Sequence, residues 1–342
     1  MELINFEEPC LCGSRKKFKN CCLKKSTLGY HLDLKGKRAE EFLYQLSVRS
    51  FLIDWCFRNP KLPNGKEICD LLIVYDDIAV IWQIKDLRIQ ENRKYKVSEV
   101  QKNLKQLITA KNRLFKLKIP IYIENQRRSK IKFEPTQIKE IYLISALLGP
   151  GEDYSSIEEN INGQIIHNFT RNFTEIVLQE LDTMKDFIEY LQKKENFLIH
   201  HKKVLVLGGE EEMLAYYLCH KRSFDELDKM DSVVFKGGFW AELQKAPKFI
   251  AKKKEDEISY AWDEIINRAY TSGNKEYELV ARELARTDRL ERRMLSKDFY
   301  EAHIKAHYAP TNLYHRIVTI SDTTYCFVFS EDNSITRLGK ND

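Results

Sequence analysis

The densest apolar stretch of the chain runs over residues 66–86, KEICDLLIVYDDIAVIWQIKD. Residues 68–75 and 78–84 carry β-branched and aromatic side chains at successive positions, which predicts two strands buried on both faces and joined by a tight turn. With Asp76 and Asp77 as the loop residues, Tyr75 pairs with Ile78, and counting back sets Asp70 opposite Gln83. Lys85 lies two residues beyond Gln83 and emerges on the same face. Three polar residues thus interrupt an otherwise apolar wall on one side.

The flanking pattern is helical. Phe42, Leu43, Leu46, Phe51 and Ile53 have the spacing of an amphipathic helix that starts near Glu40, after a linker at 26–35, and ends near residue 57. Val100, Leu104, Leu107, Ile108, Leu114 and Leu117 form one stripe of a helix over 97–117. Strands at 119–124 and 141–147 then complete an αβββαβ-type core. After the glycine and proline break at 149–151, short strands are expected at 164–169 and 174–178, and a helix at 180–192. A strand, a glycine turn and a helix follow over 203–217, mostly helical sequence over 239–307, and a closing hairpin of 315–320 with 325–330. No internal repeat or low-complexity tract stands out.

Length and composition narrow the class. At 342 residues the chain can hold two or three domains, and 31% charged residues describe a soluble globular protein. A net charge of +5 permits nucleic-acid binding without requiring it. No apolar run approaches the ~20 residues of a membrane span. The N-terminal MELINFEE lacks the basic start and apolar core of a signal peptide. A cytoplasmic location is expected, where thiols stay reduced.

The chemistry centres on Asp70, Gln83 and Lys85. An unpaired carboxylate and ammonium in that setting would cost several kcal/mol. An Asp70–Lys85 salt bridge is one way to meet the cost; a metal site is the other. A carboxylate and an amide oxygen are hard ligands suited to Mg²⁺ or Mn²⁺, and a neighbouring lysine can orient water and stabilise charge on a phosphate. An Asp on one strand and Gln-x-Lys on the next resembles the PD-(D/E)XK nuclease superfamily, in the Gln-bearing variant of its Mrr-like members. The resemblance extends to Gly36 and Glu40-Glu41, since a glycine and an acidic residue often open the helix before the Asp strand in that family. It implies a restriction-endonuclease-like core in which Glu40, Asp70, Gln83 and Lys85 form the catalytic set, with Asp70 holding magnesium. Otherwise Glu40 and Glu41 favour a helix N-terminus and nothing more. Lys102 and Gln106 on the following helix either lean towards the site or are solvated.

Four of the eight cysteines fall within thirteen residues: Cys10, Cys12, Cys21 and Cys22, spaced C-x-C-x8-C-C around a basic run. In a reducing compartment four clustered thiols read as a structural tetrahedral Zn²⁺ site, whose metal supplies the folding free energy of so small a module. The segment resembles the SEC-C motif, with Arg15 where glycine is usual. Cys56, Cys69, Cys219 and Cys326 are expected in the core.

Two basic clusters, with Arg93 and Lys94 in one and Arg127 and Arg128 in the other, flank the proposed site and read either as phosphate-binding or as solvated loops. Gly208-Gly209 reads as a plain turn, because three glutamates follow it. Arg282 to Arg293 reads as a solvated, salt-bridged face, and His303 with His307 lacks a third metal ligand. The expectation is an α/β (α+β) protein: a zinc knuckle over 1–28, a restriction-endonuclease-like mixed-sheet core flanked by helices over 29–207, and a mainly helical region over 208–342. The expected activity is metal-dependent hydrolysis of nucleic acid, DNA rather than RNA, in defence against foreign DNA. The alternative is a non-catalytic adaptor that binds a protein through the knuckle, or nucleic acid through a degenerate nuclease fold.

Overall fold

The computed structural model describes residues 28–87, 95–149, 158–161, 163–200, 203–227, 229–271, 275–308 and 313–330. The chain divides into two compact units: Met1–Leu46 with Cys56–Arg171, and Ser47–Trp55 with Asn172–Asp342. The division expected from sequence, at 207/208, falls inside the second of these units. Among the described residues no helix is long and apolar enough to cross a membrane.

The first unit carries a six-stranded mixed sheet. Helix α1 (Leu28–Phe51) begins twelve residues ahead of Glu40 and covers most of the expected linker, so Gly36 sits within the helix and not at its start. Its C-terminal end comes at Phe51, and residues expected to prolong it form strand β1 (Cys56–Arg58). Leu52 takes φ 69°, a left-handed conformation that ends the helix there. Strands β2 (Leu71–Tyr75) and β3 (Ile78–Lys85) follow, then α2 (Val97–Phe115), the small hairpin of β4 (Ile121–Ile123) and β5 (Ile131–Phe133), β6 (Glu140–Leu147), β7 (Glu158–Ile161) and β8 (Gln164–Thr170). Their order in the sheet is β1-β2-β3-β6-β8-β7, antiparallel at both edges and parallel for β3-β6-β8.

The β2–β3 register is the one read from sequence: Tyr75 pairs with Ile78 and Leu71 with Trp82, which brings Asp70 to Gln83. Asp76 adopts φ 49°, a conformation that aspartate tolerates better than most residues, so the turn forms without glycine. Asp77 ties this turn to the start of β6 by an ion pair with Lys139 at 2.9 Å. Helix α2 lays Val100, Leu104, Leu107 and Leu114 over Leu72, Ile81, Leu143 and Leu147, forming the core on one side of the sheet. The strand expected at 119–124 exists as β4, but it pairs with β5 in a hairpin of its own and does not join the main sheet. Its three residues bury only Ile121 and Ile123, too short an apolar row to occupy a central position.

The second unit is mainly helical. The expected strand at 174–178 is part of α3 (Arg171–Glu180), because Phe173, Thr174, Val177 and Leu178 bury one helical face. It is followed by α4 (Met184–His200), β9 (Lys203–Val206), α5 (Glu210–Cys219), β10 (Ser232–Phe235), α6 (Phe239–Lys245), α7 (Pro247–Asp256), α8 (Tyr260–Thr271), α9 (Lys275–Ala285), α10 (Arg289–His307) and the hairpin β11 (Leu313–Ile320) with β12 (Thr323–Ser330). A strand, Gly-Gly and a helix occur twice, at β9–α5 and β10–α6, and the two strands pair in parallel. The glycine turns touch: a Cβ on Gly208 would lie 2.5 Å from the Gly237 Cα. Glu212 of the first copy accepts hydrogen bonds from Gly238 N at 2.9 Å and Trp240 N at 2.8 Å of the second, so a carboxylate already occupies that turn.

Two expectations for this unit need correction. Arg289 and Arg292 are buried, not solvated: Arg289 meets Asp182 at 2.8 Å and Asp263 at 3.0 Å, and Arg292 meets Asp263 at 2.6 Å. The arginines reach carboxylates on other elements, which charge pattern along one helix does not reveal. Cys219 and Cys326 are exposed, at the end of α5 and on the outward row of β12; Cys56 and Cys69 are buried as expected.

Candidate functional site

Asp70 stands just ahead of β2, and its carboxylate turns onto β3. Its Oδ2 accepts hydrogen bonds from the Gln83 amide at 2.6 Å and from the Ile84 N–H at 2.5 Å. Both Asp70 and Gln83 are more than nine-tenths buried. Burial pushes the Asp70 carboxyl up to about 8 against the pull of the Ile84 N–H, and the negative charges of Glu40 and Glu67 add to the rise.

The polar line continues across the sheet. Gln83 on β3 pairs with Ser145 on β6, and Ser145 with Asn168 on β8. Asn103 of α2 clamps this row: its amide donates to the Ser145 hydroxyl at 2.9 Å and to the Gln83 carbonyl at 3.3 Å. All three are buried, and sequence reading missed them. Each looks like an ordinary polar residue in its own element, and only the parallel register of β3, β6 and β8 brings them together.

Lys85 follows Gln83 on the same face and is partly exposed. Among the described residues its ammonium makes no ion pair, so the Asp70–Lys85 salt bridge is not formed. Glu40 and Glu41 separate in role. Glu41 bonds to Gln45 at 2.7 Å and to Arg58, and the hydrogen bond from Gln45, followed by Arg58, lowers its carboxyl. Glu40 accepts from Asn59 at 3.3 Å and lies 3.8 Å from the same Arg58 guanidinium, with its charge still within reach of Asp70.

A cavity of about 460 Å³ opens over Asp70 and Gln83. Lys66, Glu67, Thr109 and Arg113 share its walls, and so does Gln106, one of the two α2 residues considered from sequence. Gln106, Thr109 and Arg113 recur at helical spacing and present one face of α2. Sequence reading missed Lys66 and Glu67 because they precede the strand; their place four and three residues before the buried aspartate is the available signal.

Arg127 and Arg128 lie between β4 and β5, where their backbone N–H groups donate to the Asn125 side chain at 2.9 and 2.7 Å. They do not line the cavity. Arg93, Lys94, Cys10, Cys12, Cys21 and Cys22 lie outside the described residues. Among the described residues no group of three or more histidine, cysteine, aspartate or glutamate side chains is arranged to hold a metal ion.

No curated protein and no solved structure gives a significant match to this chain. A family model described as SEC-C motif matches residues 8–24, the segment that contains all four clustered cysteines.

Proposed function

We propose that the first unit is a metal-dependent nuclease that hydrolyses phosphodiester bonds in nucleic acid, with DNA as the expected polymer, and that the SEC-C segment binds a structural zinc. The observation that carries this reading is the β2–β3 register, which sets Asp70 against Gln83 and puts Lys85 on the same face, with no ion pair among the described residues. The order α1, β1, β2, β3, α2, β6, with β1–β3 antiparallel and β3–β6 parallel, supports a restriction-endonuclease-like core. The donor set suits a hard divalent cation: a buried carboxylate beside an amide whose oxygen would serve as ligand if the group turned over, on a cavity with room for water. Magnesium or manganese bound there would neutralise charge developing on the phosphate. Asp70 supplies the anionic ligand and Glu40 adds negative field. Gln83 contributes a neutral oxygen once its amide turns away from Asp70. Lys85 orients the water whose oxygen bonds to phosphorus as the ester P–O bond breaks, and it stabilises the charge that gathers on the phosphate. Cys10, Cys12, Cys21 and Cys22 provide the four thiolates of a closed, structural zinc site.

The test is cleavage of DNA by purified protein with Mg²⁺ or Mn²⁺. Asp70→Asn and Lys85→Ala should each lower the rate by at least ~100-fold, the scale of losing one electrostatic group, with the fold retained. Only Asp70→Asn should weaken metal binding. Activity that survives both changes removes this stretch as the active site.

One observation favours a second reading. The Asp70–Gln83–Ile84 hydrogen bonds satisfy the buried carboxyl without a metal, as a degenerate site in a binding adaptor would. An inactive wild type whose Asp70→Asn variant is merely destabilised would support that role.

A further inference from the structure

The cavity over Asp70 has two cations in its wall, Lys66 and Arg113, for which no carboxylate partner is found among the described residues. Lys66 makes no ion pair among the described residues. Arg113 spends one of its five donors on the Glu67 carbonyl, at 2.8 Å, and pairs with no carboxylate there. That bond fixes the guanidinium at the wall instead of letting it trail into solvent. We propose that Lys66 and Arg113 grip a phosphate of the substrate strand, on the wall formed by α2 and the segment before β2.

This proposal rests on the reading of Asp70 as a hydrolytic site, and charge supports it. Lys66 and Arg113 balance Glu67 and Asp70 in formal charge. A divalent cation on Asp70 therefore leaves the cavity two units positive, the sign that receives a phosphodiester. Without the two cations, the paired carboxylates would repel the strand they are meant to cut. The guanidinium fork matches phosphate oxygens, and the ammonium acts as a point charge beside it. Gln106, on the same face of α2, adds an amide donor. A volume of about 460 Å³ lies within the range of small-ligand pockets and suits one sugar-phosphate. Arg127 and Arg128, the loop cations that sequence favoured, do not face this cavity.

The experiment uses the full chain with Ca²⁺ in place of Mg²⁺ and follows the binding of short labelled DNA by fluorescence anisotropy as salt rises. Lys66→Gln with Arg113→Gln should lower affinity at low salt by ~10-fold or more and reduce the slope of log K against log salt by about 0.7–0.9 for each lost phosphate contact. Arg113→Lys keeps the charge and should keep the slope. Lys66→Gln alone changes an exposed side chain and should remove about one contact, which tests the grip even if the double variant folds poorly. Wild type that binds DNA while these variants keep its affinity and slope overturns the grip and leaves the Asp70 reading standing. Wild type that does not bind DNA overturns both.

Discussion

Gln83 is the residue on which the candidate site turns. Its amide donates to Asp70 and its carbonyl is held by Asn103, so the side chain and backbone are fixed from opposite directions. Gln83→Glu would place a second carboxylate beside one that burial already holds near neutrality. Without metal the variant should lose about 3 kcal/mol in denaturant titrations, the scale of an uncompensated buried charge. Mg²⁺ should restore that stability and bind at least as tightly as to wild type, measured by calorimetry. A loss that Mg²⁺ does not offset assigns Asp70 and Gln83 to structure alone. The pairing of these two residues was legible because consecutive β-branched positions fixed the strands and a two-residue turn fixed the count. Asn103, Ser145 and Asn168 were not, since nothing local distinguishes a polar residue aimed at a distant strand from one aimed at water.

Among the elements, α4 and α5 carry a buried ion pair that the helical pattern does not advertise. Lys194 and Glu210 meet at 2.7 Å with both side chains inaccessible, and Tyr190 donates to the same carboxylate at 3.0 Å. Burial raises the Glu210 carboxyl even against the pull of Lys194. Lys194→Met should destabilise the second unit by about 3–5 kcal/mol, because a buried charge is left alone. The pH dependence has a definite sign. A carboxyl whose folded-state affinity for protons is raised contributes stability below its ordinary value of 4.5 and loses it as pH climbs. The deficit of the variant should therefore shrink towards pH 4 and widen above it, as urea melts at several pH values would record. The same lesson explains Arg289 and Arg292. Their sequence carries the alternating charge of a solvated helix, yet Asp182 and Asp263 lie far away in the chain and near in space.

At the scale of the molecule, the SEC-C match at residues 8–24 covers a small part of the chain and lies outside the described residues. Purified protein should contain about one zinc per chain, by elemental analysis. Cys21→Ser should remove it while the remaining chain still melts cooperatively; wild type free of zinc ends that assignment. The β2–β3 hairpin and the helices on either side of it were readable because each has its own period; β1 was not, since its three residues continue the apolar spacing of the helix before them. The division of the chain was not, since a glycine pair inside a small parallel sheet looks from sequence like a border.

The two-residue turn at Asp76 and Asp77 also bears on how the first unit assembles. Closing that loop carries little entropic penalty, whereas β6 must return to β3 across the whole stretch from Lys85 to Glu140, and each doubling of a loop costs about 0.6 kcal/mol more. Contacts of short sequence separation form first. Asp70 and Gln83 are thus expected to meet before β6 docks, so Gln83→Ala should slow refolding of the first unit in stopped-flow more than Arg113→Gln does. The chemistry is nucleated locally; what it can hold is decided last.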